Sequence, residues 1–126
     1  MTESKDTSKI DTGKEGEKIA AGYLKQIGYR ITEVNYRCPI GEIDIVARDK
    51  DTLVFVEVKA RKSGLMGYPE QAVGVKKQKK MSQLALWYLQ EKKLSDANTR
   101  FDVVAVVLCP GAPDIRLIKN AFDFRP

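Results

Sequence analysis

Histidine is absent from this 126-residue sequence. Imidazole is the usual general base at neutral pH and a common ligand of zinc and iron. Its absence excludes the histidine-dependent triads of serine proteases and the zinc motif His-Glu-x-x-His. Carboxylates, lysines and a metal held by oxygen atoms remain for hydrolytic chemistry. Such hard ligands favour magnesium, manganese or calcium, and we expect magnesium.

Cysteines and long apolar runs are also scarce. Cys38 and Cys109 lie far apart and form no Cys-x-x-Cys spacing, which predicts two reduced thiols. No apolar run approaches the roughly 20 residues that a membrane helix needs. The first residues, Met-Thr-Glu-Ser-Lys-Asp, have no hydrophobic segment behind their charges, so we expect no signal peptide. These absences predict a cytoplasmic protein with no membrane partner.

The length and the hydrophobic content of 43% suit one compact domain, which we place at residues 13–126 after a flexible polar tail at residues 1–12. Apolar periodicity and breakers predict an α/β fold with the order αβββαββ. The predicted helices are residues 13–27 and 75–92. The predicted strands are residues 29–36, two strands between 41 and about 60, then 100–109 and 114–119.

Two consecutive predicted strands carry charges on otherwise core-like sequence. Strand side chains alternate between faces, so Glu42 shares a face with Asp44, and Glu57 shares a face with Lys59. An even-length turn around residues 49–52 pairs residues whose numbers sum to 101, which places Asp44 opposite Glu57. Facing carboxylates repel by roughly 0.2–1 kcal/mol, and a bound cation would turn this repulsion into attraction. The alternative is a set of solvent-exposed edge charges in which Glu42 pairs with Lys59.

A basic segment follows these acids. From Lys59 to Lys80 there are seven lysines or arginines against one acid, Glu70, and the rest of the chain is nearly neutral. Basic residues beside an acidic metal site suit a polyanion, most readily nucleic acid. A solvated helix start and a loop at residues 61–75 are the alternative. The candidate nucleic-acid contacts are Arg61, Lys62, Tyr68, Lys76, Lys77, Lys79 and Lys80.

Asp44 on one strand and Glu57-Val58-Lys59 on the next resemble the PD-(D/E)xK nuclease superfamily, which includes restriction endonucleases and archaeal Holliday junction resolvases. The proline of the name motif is replaced by Ile43. With Glu17 on the first helix and Arg100-Phe101-Asp102 on the later strand, the chain is more similar still to the YraN-like family. That family is uncharacterised and predicted to be endonuclease-like. The resemblance covers roughly residues 13–120.

The resemblance implies a restriction endonuclease-like core, with a mixed central sheet flanked by helices, and it implies roles for six residues. Asp44, Glu57 and the carbonyl of Val58 would hold Mg²⁺ or Mn²⁺, with Glu17 as an additional ligand. Lys59 would orient or activate water. The sixth residue is Gln78, which resembles a helix Gln or Lys of the resolvase-like members.

The function implied by the resemblance is a magnesium-dependent endonuclease that hydrolyses phosphodiester bonds in DNA, with branched or damaged DNA among its candidate substrates. Resolvase-like relatives act as dimers, so a homodimer is a further expectation. Two alternatives stay open. One is a nucleic-acid-binding protein that has the nuclease-like fold and little or no activity, and the other is a structural partner that does not bind polyanions.

Overall fold

The computed structural model describes residues 4–63 and 73–125, with side chains from Asp11 onward. Two helices and five strands follow the predicted order αβββαββ. The elements are α1 (Ser4–Gln26), β1 (Arg30–Cys38), β2 (Gly41–Asp49), β3 (Thr52–Lys62), α2 (Val75–Glu91), β4 (Thr99–Leu108) and β5 (Asp114–Ile118).

Helix α1 begins at Ser4, earlier than predicted, so residues 4–12 are helical. The start of the helix could not be predicted from the sequence because its first turns are polar and show no apolar periodicity.

The sheet is mixed, as predicted. Its strand order is β1-β2-β3-β4-β5, in which β3 and β4 run parallel and the other neighbours are antiparallel. Helix α2 lies in the connection between the two parallel strands. The predicted register of β2 and β3 is confirmed from Ile45↔Val56 to Asp49↔Thr52, with Lys50 at φ 57° in the turn.

One helix packs on each face of the sheet. Ala20 and Leu24 of α1 are fully buried against one face, and Leu84 and Tyr88 of α2 are buried against the other. Central strands covered on both faces carry near-continuous apolar sequence, as β4 does. The core beside α1 is formed by Ala20, Leu24, Tyr29, Ile45, Ala47, Val54, Val56, Val104 and Val106.

Helix α1 lies close against β3 at Gly16. A Cβ atom placed on Gly16 would overlap the Cβ atom of Ala60 on β3, so only glycine fits without a shift of the helix. A Cβ atom placed on Gly22, in the same helix, would have nothing within 4 Å. Two small residues, Gly16 and Ala60, therefore set the distance between α1 and β3.

A buried ionic network connects several elements near the start of β4. Asp102 on β4 is fully buried and accepts hydrogen bonds from the Tyr29 hydroxyl (2.7 Å), the Asn120 amide (3.0 Å) and Arg100 Nε (2.9 Å). Arg100 Nη2 also donates to Asp102 Oδ2, to the Tyr29 hydroxyl and to Asp49 Oδ2. These bonds connect β4 to the α1–β1 turn, the β2–β3 turn and the chain after β5.

The first prediction concerns the contact between Gly16 and Ala60. Gly16→Ala should lower the free energy of unfolding by about 1–3 kcal/mol because the new methyl group overlaps Ala60. Gly22→Ala is the matched control in the same helix and should be neutral or stabilising by up to about 1 kcal/mol, since alanine favours the helix and meets open space. Urea unfolding measures both, and equal effects of the two substitutions would contradict the close contact.

The second prediction concerns the buried carboxylate of Asp102. Asp102→Asn should cost about 3–5 kcal/mol, because the Arg100 guanidinium loses a charged partner and an amide cannot accept from every donor. Asp51→Asn in the exposed turn is the control and should change stability by less than about 0.5 kcal/mol. Chemical denaturation checks both, and a loss below about 1 kcal/mol for Asp102→Asn would refute the role of the network.

Candidate functional site

Strands β2 and β3 diverge at Asp44. Their ladder ends at Ile45↔Val56, and the next residues toward the start of β2 do not continue it. Ile45 packs in the core beside α1, whereas Ile43, two residues away, packs in the core beside α2, so the alternation of the strand is broken between them. At this point the Val58 amide donates a hydrogen bond of 2.8 Å to Asp44 Oδ2.

Asp44 and Glu57 interact electrostatically across this opening. Burial is the main cause that raises the pKa of Asp44 to about 7, and the negative charges of Glu57 and Glu17 raise it further. The hydrogen bond from Val58 and the charge of Lys77 act in the opposite direction. The predicted repulsion between strand carboxylates is therefore present.

Helix α1 brings Glu17 to these strand acids. Burial raises the pKa of Glu17, hydrogen bonds with Asn35 and Asp44 lower it, and the charges of Glu42 and Glu57 raise it. Sequence reasoning missed Asn35 as a residue of the site, although asparagine tolerates the left-handed backbone conformation that it adopts there, at φ 57°. Three acids far apart in sequence, Glu17, Asp44 and Glu57, thus meet at one place.

Lys77 of α2 forms an ion pair with Glu57, with 3.3 Å between Lys77 Nζ and Glu57 Oε2. A small pocket of about 10 Å³ lies beside this pair and is also lined by Glu42. That volume is close to the minimum for one water-sized species. Glu42 itself pairs with Arg37 on β1 at 3.9 Å and stays exposed.

The other predicted site residues lie on β3 and α2. Lys59 is half-buried and lies two residues beyond Glu57 on β3. The side-chain amide of Gln78 donates to the Val73 carbonyl (2.6 Å) and accepts from Arg125 Nε (3.1 Å). These contacts hold Gln78 at the start of α2, and its predicted catalytic role stays a prediction.

The predicted basic residues lie at the ends of two elements. Four lysines in the first turns of α2 border a depression of about 730 Å³, and we call them the α2 lysine surface: Lys76, Lys77, Lys79 and Lys80. Arg61 and Lys62 end β3, and Arg61 Nη2 is buried with no hydrogen-bond partner among the described residues. Tyr68 lies outside the residues that the structure describes.

The donor set fits a hard cation through two carboxylates. Within the described residues, no three His, Cys, Asp or Glu side chains form a ready ligand set. Mg²⁺ often binds through only one or two carboxylates and keeps several waters. Asp44 and Glu57 offer oxygen donors whose mutual repulsion a cation would relieve.

None of the helices in the described part of the chain has the length and apolar character needed to cross a membrane.

Comparisons with known proteins converge on one family. Residues 16–106 match the model of the family described as "Uncharacterised protein family UPF0102". A UPF0102 protein of Syntrophus aciditrophicus is 57% identical over 117 residues, covering 93% of this chain and 92% of the relative. A similar protein from Geobacter sulfurreducens is 51% identical, and the match covers 88% of this chain and 88% of the relative. Another from Caldicellulosiruptor saccharolyticus is 43% identical, and the match covers 91% of this chain and 99% of the relative.

The third prediction concerns the raised pKa of Asp44. Because the folded state holds the proton of this carboxyl more tightly than the unfolded state does, its contribution to stability is complete below about pH 4 and is lost as pH rises through about 7. Without divalent cations, Asp44→Asn should therefore stabilise the protein at pH 8 by on the order of 1–3 kcal/mol, with little gain at pH 4.

Urea unfolding in EDTA at pH 4, 6 and 8 checks this expectation. Asp51→Asn, in the exposed turn, is the matched control and should change the free energy of unfolding by the same amount at each pH. An Asp44→Asn variant that is no more stable than the native protein at pH 8 would show that the carboxylate is not destabilised by its surroundings.

Proposed function

This chain belongs to the uncharacterised protein family UPF0102, the YraN-like family that its motifs predicted, and on that premise we propose that it is a metal-dependent nuclease with a restriction endonuclease-like core. Its substrate is a phosphodiester bond of DNA. The observation that carries the proposal is the meeting of Glu17, Asp44 and Glu57 where β2 and β3 diverge, beside the α2 lysine surface.

Asp44 and Glu57 would hold Mg²⁺ or Mn²⁺, with the Val58 carbonyl and Glu17 as further oxygen donors. A bound divalent cation lowers the pKa of water and neutralises negative charge that develops on a phosphoryl group. The chain itself keeps the Asp44 carboxylate in place through the Val58 amide, 2.8 Å away. The neighbouring Lys59 would orient the attacking water. Histidine often has this role in other enzymes, but this sequence contains no histidine.

The start of α2 supports phosphate binding. A helix N-terminus carries partial positive charge, so acids are favoured there and lysines are not. The first turn of α2 has no acid, and Gly74 at its N-cap supplies no side-chain cap. Four lysines in the first two turns are unfavourable for helix stability. Locally unfavourable residues are expected where a site binds an anion.

The ion pair between Lys77 and Glu57 favours one alternative. An ammonium group already neutralises part of the acidic site, which is compatible with a nucleic-acid-binding protein of little or no activity. In the nuclease, Lys77 would exchange this carboxylate for a substrate phosphate when a divalent cation takes its place. Dependence of cleavage on Mg²⁺ or Mn²⁺ separates the two functions.

The fourth prediction is cleavage that needs both strand carboxylates. With Mg²⁺ or Mn²⁺, the native protein should cut at least one member of a panel of linear, nicked, single-stranded and four-way-junction DNA. Asp44→Asn and Glu57→Gln should each lower the rate by about 10³-fold or more, which corresponds to about 4 kcal/mol. Gel electrophoresis of end-labelled substrates measures the rates.

Asp51→Asn, purified in the same way, controls for contaminating nucleases and for the loss of one negative charge, and it should cut like the native protein. Parallel binding assays decide between the two functions. If the native protein and both site variants bind DNA equally and none cuts with either metal, the binding function replaces the nuclease.

A further inference from the structure

A groove between α1 and β1 shares Glu17 with the acidic site and lies on the side of the sheet opposite α2. It is lined by Lys14, Glu17, Lys18 and Lys25 of α1 and by Val34 and Asn35 of β1, and we call it the α1 groove. Its volume is about 390 Å³. Its three lysines lie outside the basic segment after Lys59, and the sequence pattern alone assigns them no role.

The spacing of the α1 residues places them in one row. Positions 14, 18 and 25 differ by four and seven residues, so their side chains leave the helix on the same face. All three lysines are exposed, whereas Ala20 and Leu24 on the inner face are fully buried. At about 1.5 Å per residue, Lys14 and Lys25 lie about 16 Å apart along the helix.

The shape of the α1 groove suits an extended, charged chain. Ala21 and Gly22 form part of its lining, and a Cβ atom on Gly22 would meet nothing within 4 Å, so the floor between the lysines is open. The described lining residues include no aromatic ring on which a base could stack. Such a groove would contact a phosphate backbone and not the bases.

Glu17 connects the α1 groove to the candidate site. It lines the groove together with Asn35, and its carboxylate interacts electrostatically with Asp44 of the site. Glu17 lies between Lys14 and Lys18 along α1, so the positive row passes beside the acids that would hold the metal. A polyanion lying along the row would bring one of its phosphates to Asp44 and Glu57.

We propose that the α1 groove binds the phosphate backbone of a polynucleotide on one side of the bond to be cut, while the α2 lysine surface binds it on the other side. This inference rests on the proposed function, because it assumes a nucleic acid at the acidic site. Each of its three lysines can contact one phosphate of a strand that lies along the groove. Its contacts are independent of base sequence.

The fifth prediction tests the α1 groove by binding in EDTA, where no cleavage occurs. Lys14→Gln/Lys18→Gln should weaken binding of a fluorescent DNA duplex by about tenfold or more at a fixed salt concentration. The slope of log K against log salt should become shallower by about 2, roughly one unit for each lost phosphate contact. Fluorescence anisotropy measures both quantities.

Lys50→Gln/Lys93→Gln is the matched control, since it removes the same charge from two exposed lysines outside both basic surfaces. It should keep most of the native affinity. Lysine acetylation of the native protein, read by mass spectrometry, gives a second test that needs no variant. DNA should protect Lys14, Lys18 and Lys25 but not Lys50 or Lys93.

Equal binding by the two double variants, together with unprotected groove lysines, would overturn the α1 groove as a binding site. The nuclease proposal would survive that result if the native protein still bound and cut DNA. A native protein that bound none of the DNA substrates at low salt would overturn both proposals.

Discussion

The fold depends on one buried charge, the carboxylate of Asp102. Placing a carboxylate in a protein interior costs several kcal/mol unless charged and polar partners surround it. Here those partners are Arg100 on the same strand, Tyr29 before β1 and Asn120 after β5, and Arg100 in turn binds Asp49 at the end of β2. An arrangement that misplaced any of these segments would leave a charge uncompensated, so the network selects one mutual placement of turns and strands. The candidate site lies toward the opposite end of β2, on a scaffold that this network fixes.

Most of the architecture could be predicted from the sequence because the apolar patterns of β2, β3, β4 and α2 are strong. The register of β2 and β3 followed from the turn around Lys50. The acids of the candidate site were named from the strand pattern of Asp44 and Glu57 and from the family resemblance, which added Glu17. The early start of α1 could not be predicted, since a polar helical turn has no periodic signal. The divergence at Asp44 was missed too, because strand alternation assumes a regular ladder.

The α1 groove could not be predicted from any single segment of the sequence. Lys14, Lys18 and Lys25 are spread among acids in the sequence and produce no local excess of charge, whereas Lys76–Lys80 stand out at once. Only the packing of α1 against the sheet aligns them beside Asn35. Catalytic roles for Lys59 and Gln78, the contact at Tyr68, the cytoplasmic location and a homodimer remain predictions from the sequence.

The close contact of Gly16 with Ala60 has a consequence for the acids nearby. Glu17 follows Gly16 on α1, and Glu57-Val58-Lys59 directly precedes Ala60 on β3, so two facing small residues act as a spacer of fixed thickness between the helix acid and the strand acids. Any residue that thickened this spacer would move Glu17 away from Asp44 without altering a single charge. In the proposed nuclease, the affinity of the acidic site for a cation would thus depend on side-chain volume alone, at positions that do not touch the cation.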